Sequence, residues 1–473
     1  MKKLGIILYM ILSVIIGILC LISFITIAFN IGNGFLSIDN KPNLIFLTAI
    51  AVEIALVVFC LITKSNHKKL RSIIKIIAFA CFFLFSAFGI IQWSFRYYAL
   101  AALLLLLAIM GVVSLIRKKE DKKKYKAVRV VFKAVGIIVL IFLIALPAIL
   151  FPQYKEIEAT GKYQVATVAY SYMDTKRVET YTNTGEKRKL NVEMWYPKNA
   201  KEKYPLIVFS HGSFGVKSSN ETLYKELASY GYVVCSIDHT YHCFYTTDEN
   251  GNSISMDKGY RQEVLAEDAR ANKQKSYEYY QKWMKIRTGD INFVIDYILG
   301  EVKNNGADKV YNLVDTSRIG VMGHSLGGSA ALGIGRMRDD VSAVIALESP
   351  FMCDIEGVKD GEFVFIDKIY PVPILNVYSD DGWRILKDRP QYAENYALLS
   401  NTNATAFNAH IKGVGHLTLT DFALTSPILT DIINGHKSTT DTEYCLKTIN
   451  KICLEFFDCY LKGKGQFKSG GTY

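Results

Sequence analysis

Two patterns of apolar and polar positions divide the chain. As far as about residue 151 the apolar residues come in runs long enough to cross a bilayer, which takes about 20 of them in a helix. Five segments qualify, at roughly 4–30, 43–63, 73–92, 98–116 and 130–151. The first is too long for the apolar core of a secretory signal and more runs follow it, so it reads as an uncleaved helix. From residue 152 onward the runs shorten to strand length. An alternating segment over 151–177 suits early antiparallel strands, and further strands are expected at Leu190–Trp195, Leu206–Phe209, Tyr232–Ile237, Arg318–Met322, Ala343–Leu347 and Ile374–Tyr378. Helices are expected at Glu221–Ser229, over the long segment Gln262–Leu299, at Gly328–Arg336, at Ala393–Leu399 and over about Asp441–Leu461. Strands alternating with helices predict a mostly parallel sheet covered on both faces. Wholly apolar strands such as Leu206-Ile207-Val208-Phe209 agree, since both of their faces are buried in such a sheet. The predicted organisation is an all-α transmembrane domain of about five helices over 1–151, followed by an α/β domain over 152–473.

Charge sharpens this picture. The 473 residues are half hydrophobic and carry a net charge of +11. Many of the cations lie in two short segments between apolar runs, Lys64–Arg71 and Arg117–Arg129, and not on one basic face. That distribution argues for membrane topology and against nucleic acid as a partner. The loops over 31–42 and 92–97 hold one basic residue each. Basic loops stay in the cytoplasm. With five spans the N-terminus, which begins with Lys2 and Lys3, is then cytoplasmic, and everything after Pro152 lies outside a cell membrane crossed several times. Glu53 and Lys133 fall inside spans; Lys133 can reach the basic side, and Glu53 is expected to pair within the bundle. The nine cysteines show no CxxC or Cys/His zinc spacing, so no zinc site is expected. Cys235, in an apolar strand, reads as a buried free thiol.

The chemistry lies in three stretches. Arg318–Met322 runs as a strand into Gly323-His324-Ser325-Leu326-Gly327, and a helix rich in small residues follows. This matches the nucleophile elbow of the α/β-hydrolase fold, with Ser325 as nucleophile. The elbow needs glycines because a Cβ two residues before or after the serine collides with neighbouring chain. The second stretch, Tyr204-Pro-Leu-Ile-Val-Phe-Ser-His-Gly-Ser, ends a strand in His211-Gly212. Such a turn supplies one backbone N–H of an oxyanion hole, assigned to Ser213, and the residue after the nucleophile, Leu326, supplies the other. His211 braces the turn. The third stretch, Ile411-Lys-Gly-Val-Gly-His, puts His416 in a glycine-containing loop after a late strand, where this fold keeps its base. The order Ser…acid…His also fits. His239 and His242 are expected near the pocket.

Two acids qualify as the third member, whose task is to hold the imidazole tautomer. Glu348 follows the strand Ala343–Leu347, and Asp381 with Asp380 follows Ile374–Tyr378. Spacing leaves both open, and the commoner location slightly favours Asp381. The charged, tyrosine-rich segment Lys258–Leu299 reads as a lid or as a surface excursion, and Ser219-Asn220 as the cap of the Glu221 helix.

With these residues in hand, the region of about 160–460 resembles the platelet-activating factor acetylhydrolase family. The stretches that carry the resemblance are FSHGSFG, ELASYGYVVCSIDH, GHSLGG, ALES and KGVGHLTLTDF. The resemblance implies calcium-independent hydrolysis of short acyl esters, including those on phospholipids, with no metal or cofactor. It places the acid at Glu348, where the family has an aspartate. The extra methylene requires the loop to sit further back. The membrane bundle departs from the animal family, so the chain looks more like a bacterial membrane-bound relative, and the substrate class carries over weakly. Two other classes can use the same residues: a peptidase or acyltransferase, and a membrane sensor with an inert hydrolase domain. The intact Ser325, His416 and oxyanion loop oppose the last.

Overall fold

The computed structural model describes residues 41–91, 93–117, 125–304, 306, 308–400 and 405–473. The chain divides into two units, one up to Lys155 together with Thr425–Ile428, the other Glu156–Leu424 with Leu429–Tyr473. The span expected over 4–30 lies outside the described residues.

The described part of the first unit holds four long helices: α1 (Lys41–Thr63), α2 (Lys68–Ala87), α3 (Phe95–Ile116) and α4 (Ala127–Leu150). Three of them, α2, α3 and α4, are long and apolar enough to cross a membrane. Phe83, Leu84, Leu106, Phe132 and Leu143 point outward, while Phe82, Tyr97, Leu100 and Ile141 pack inward. Apolar side chains on both faces suit a lipid surround, where water drives no sorting. A Cβ at Gly111 of α3 would lie 2.7 Å from the Ser72 carbonyl of α2, so these two backbones approach as only small residues allow. Glu53 pairs with Arg71 across α1 and α2 at 3.1 Å.

The second unit is built on a sheet of nine strands among the described residues: β1 (Val165–Val178), β2 (Lys187–Pro197), β3 (Tyr204–Ser210), β4 (Val233–Asp238), β5 (Val314–His324), β6 (Val341–Leu347), β7 (Ile374–Tyr378), β8 (Ala406–His410) and the short β9 (Gly471–Thr472). Their spatial order is β1-β2-β4-β3-β5-β6-β7-β8-β9. The β1–β2 and β2–β4 pairs are antiparallel. From β4 to β9 every pair is parallel.

The alternation of side chains sorts each strand onto two cores. Leu206 and Val208 of β3 face one core with α7 (Lys273–Lys303) and α8 (Leu326–Met337). Ile207 and Phe209 face the other with α5 (Glu221–Ser229) and α9 (Thr442–Lys462). All seven residues of β3 and all six of β4 are buried, in keeping with their near-continuous apolar runs.

Three expectations are corrected. The segment read as Gln262–Leu299 is two helices, α6 (Lys258–Ala266) and α7, because Asp257 and Asn272 each cap a new start. Nor is it a lid: Trp283, Met284, Ile291, Val294, Ile295 and Ile298 of α7 sit in the sheet's core. Asn220 stands at the N-cap of α5 but makes no cap bond; it donates to the Leu419 carbonyl at 2.8 Å, and Asp421 accepts the Thr222 N–H at 2.8 Å instead.

Candidate active site

Strand β5 ends at His324 and α8 starts at Leu326, so Ser325 occupies the whole turn between them. It adopts φ 53° and ψ −124°, a left-handed conformation that costs an L-residue about 1–3 kcal/mol. Its N–H is tied to the Leu347 carbonyl at 2.8 Å. The flanking glycines are sterically required. A Cβ at Gly323 would lie 2.5 Å from the Gly327 backbone, and one at Gly327 would overlap the Ser210 and His211 carbonyls. The second of these contacts is what lets the turn after β3 close onto the elbow.

That turn lies beside the serine: a Cβ on Gly212 would come 3.5 Å from the Ser325 Cβ. Among the described residues neither the Ser213 nor the Leu326 backbone N–H donates to a protein acceptor. The Leu326 N–H lies in the first turn of α8, where the helix dipole favours negative charge.

His416 opens the segment after β8. Its Nδ1 faces Glu348 Oε1 at 2.7 Å. Glu348 follows β6 directly, at φ 50°. Its second oxygen accepts the Ser379 N–H at 2.7 Å, and its own N–H donates to the Val377 carbonyl at 2.7 Å. Gly382 makes room for it; a Cβ there would lie 2.6 Å from Glu348 Cγ and Oε2. Asp381 acts on the backbone: it accepts the His416 N–H at 3.2 Å and pairs with His436 at 2.8 Å. The carboxylate facing the ring is therefore Glu348, and Asp381 supports the loop.

The electrostatics match this placement. Burial alone would lower the His416 pKa, but the Glu348 carboxylate more than offsets it, helped by Asp381, and the net direction is up. Burial alone would raise the Glu348 pKa, yet the His416 ring and the hydrogen bonds from Ser379 bring it below the usual glutamate value. His324, the elbow residue that faces His416, is pushed down to about 3 by burial and then by His416. As a neutral ring it lies tilted against His416, 4.5 Å between centroids, and donates to the His416 carbonyl at 3.2 Å.

Sequence reasoning missed the layer behind the oxyanion turn. His239 and His242 do not line a pocket; both are fully buried. His239 Nε2 accepts from the Ser210 hydroxyl at 2.8 Å, and its Nδ1 donates to Asp290 at 2.9 Å. Ser210, His239 and Asp290 thus repeat the order of a catalytic triad, but all are closed off from solvent. Arg188 grips Asp290 at 2.6 and 2.7 Å and Glu179 at 2.6 Å. His211 donates from Nδ1 to the Gly212 carbonyl at 2.6 Å and takes the His239 N–H on Nε2 at 3.4 Å. His211, Asp238 and Cys243 bring donor atoms within 4.8 Å of one another. Asp238, however, already pairs with Lys217 at 3.2 Å and accepts from Thr246 at 2.7 Å. The group is satisfied by protein partners.

A parallel sheet between helix layers, a strained serine between strand and helix, and an acid–imidazole pair after later strands define an α/β-hydrolase. A family profile described as platelet-activating factor acetylhydrolase, isoform II, matches residues 161–472, and the chain belongs to that family. The platelet-activating factor acetylhydrolase of Canis lupus familiaris is 25% identical over 282 residues, 56% of this chain and 59% of that protein. That of Gallus gallus is 24% identical over 295 residues, 56% of this chain and 64% of that protein. The match thus spans less than two thirds of those relatives' length. Cutinase est1 of Thermobifida alba is 28% identical over 154 residues, 33% of this chain and 38% of that protein. The ferulic acid esterase structure from Streptomyces cinnamoneus aligns with a TM-score of 0.50 at 21% identity, covering 65% of this chain and 93% of that one, a likeness of fold.

Proposed function

We propose that this protein is a membrane-anchored serine ester hydrolase that cleaves short acyl esters, phospholipid or other lipophilic esters among them, through an acyl-enzyme. The observation that carries the reading is the His416–Glu348 pair, with His324 against the His416 ring and the next residue, Ser325, in elbow conformation. Family membership and the esterases among the similar proteins support the ester class. In this scheme Ser325 Oγ attacks the ester carbonyl while His416 Nε2 takes its proton. The carbonyl oxygen becomes an oxyanion held by the N–H groups of Ser213 and Leu326. Collapse breaks the C–O bond, and the alcohol leaves with the proton from His416. Water, deprotonated by His416, then attacks the acyl-enzyme and releases the acid and free Ser325. No step calls for a metal or cofactor.

A panel of short-chain aryl and glyceryl esters set against peptide amides tests the substrate class on the purified chain. Turnover of the esters at least 10³ faster than of the amides is expected; amide cleavage at comparable rates would replace the reading with a peptidase.

The proposed setting is a multi-pass cell-membrane protein with a cytoplasmic N-terminus and an extracytoplasmic hydrolase unit. The three apolar helices and the basic segments around them support this. Cys445 is fully buried, so it is unsuited to reporting sidedness. Lys447, more than half exposed on α9, is suited. A Lys447→Cys chain is expected to react with an impermeant maleimide in intact cells, above the wild-type level. Reaction only after permeabilisation would reverse the orientation.

A further inference from the structure

One buried charge is unused by the scheme above. Arg287 lies on α7 and is fully buried. Among the described residues no carboxylate lies within ion-pair distance of it. The nearby acids are committed elsewhere: Asp290 to Arg188, to Arg177 at 2.9 Å and to His239, and Glu179 to Arg188. A buried cation without a counter-ion is costly unless dipoles replace water around it. The dipoles here are carbonyls of the oxyanion turn and its neighbour. Arg287 Nη1 donates to the His211 carbonyl. Nη2 donates to the carbonyls of Gly212 at 3.2 Å and His242 at 3.3 Å, and lies 3.5 Å from the Tyr260 hydroxyl. That hydroxyl donates in turn to the Ser213 carbonyl at 3.2 Å. Three successive carbonyls, 211 to 213, are thereby held from behind. His211, His239 and His242 do not share the charge, because burial, and next Arg287 itself, keeps each imidazole neutral.

The Gly212 carbonyl and the Ser213 N–H belong to one peptide group. A cation on that oxygen draws electron density away from the nitrogen and makes its N–H a stronger donor. The benefit grows as negative charge develops on the substrate oxygen, so it favours the transition state over the bound ester. We propose that Arg287 is a positioning residue for ester cleavage: it fixes the 211–213 turn and polarises the Gly212–Ser213 peptide toward the oxyanion. This rests on the serine-hydrolase reading.

The test uses the full chain with Arg287→Met and Arg287→Lys, a short 4-nitrophenyl ester, and an alkyl trifluoromethyl ketone that forms a hemiketal with the active-site serine. Arg287→Met is expected to lose about 10²–10³ in kcat, with KM within about threefold. The hemiketal, followed by fluorine NMR, is expected to ionise about two pH units higher than in wild type. Arg287→Lys, which restores the charge, is expected to recover about tenfold of the lost kcat and part of the hemiketal shift. A folded Met variant with wild-type kcat, or one whose loss lies in KM with an unmoved hemiketal titration, overturns the proposal. Should the Met variant not fold, Arg287→Gln, which keeps hydrogen-bond donors and removes the charge, decides: a hemiketal that titrates as in wild type overturns the proposal, and a raised titration supports it. Fluorophosphonate labelling of wild type at Ser325 runs alongside. Its absence would sink the serine-hydrolase reading itself, whereas labelling together with unimpaired Arg287 variants would sink only this inference.

Discussion

Ser325→Ala is expected to lower kcat for ester hydrolysis by about 10⁵–10⁶ and to abolish labelling by a fluorophosphonate, while leaving the fold intact. The scale follows from what is removed. Without the hydroxyl there is no acyl-enzyme, and the base and oxyanion donors can only assist direct attack by water. In triad enzymes that residual help is worth about 10³–10⁴ over the uncatalysed rate. Stability should not fall, because Ser325 donates to Leu347 through its backbone N–H and not its side chain. Alanine also keeps the Cβ that already tolerates φ 53°. Burst kinetics with a chromogenic ester and thermal unfolding of the same preparation provide the check. Labelling that survives in Ser325→Ala would remove the serine from the reaction.

Glu348→Gln is expected to cost about 10³–10⁴ in kcat, and Asp381→Asn less than about tenfold. The carboxylate at 2.7 Å from Nδ1 keeps that nitrogen protonated and leaves Nε2 free to accept the serine proton. A glutamine amide can donate to Nδ1 and so favours the opposite, unreactive tautomer. Asp381 reaches only the His416 backbone, so its loss loosens the loop and leaves the tautomer alone. The pH profile separates the two roles. His416 works as a base only when neutral, and its pKa is raised above the usual value of about 6.5. The acid limb of kcat/KM should therefore have its midpoint above pH 6.5 in wild type, activity being lost as pH falls through it. Removing the Glu348 charge leaves burial opposed only by the smaller pull of Asp381, so the limb should move to lower pH. A limb that stays in place in Glu348→Gln but drops in Asp381→Asn would exchange the two acids.

Much of this was legible because it is local. The elbow is five adjacent residues, the oxyanion turn is two, and the near-continuous apolar runs of β3 and β4 show both faces buried. Ile374–Tyr378 and Glu221–Ser229 coincide with the observed elements to the residue. The acid was not legible from spacing, since Glu348 and Asp381 both follow strands; only the resemblance separated them. The layer behind the oxyanion turn escaped because its partners are remote in sequence. Arg188 and Asp290 are 102 positions apart, and Arg287 and His211 are 76. One signal was present. Arg287 falls four residues after Trp283 and four before Ile291, on the apolar stripe of α7. A cation in that position must be buried or break the stripe.

Gly382 and Glu348 together illustrate what such a site demands of its sequence. The longer acid fits because the residue facing it has no side chain, and the two therefore share one allotment of space. Neither position can change freely while the other is fixed. A shorter acid would leave a void beside Gly382 and draw the carboxylate away from the imidazole, and any larger residue at 382 would drive the acid out of line. The length of the acid and the space left at residue 382 are one joint constraint, and changing the acid means changing both positions together.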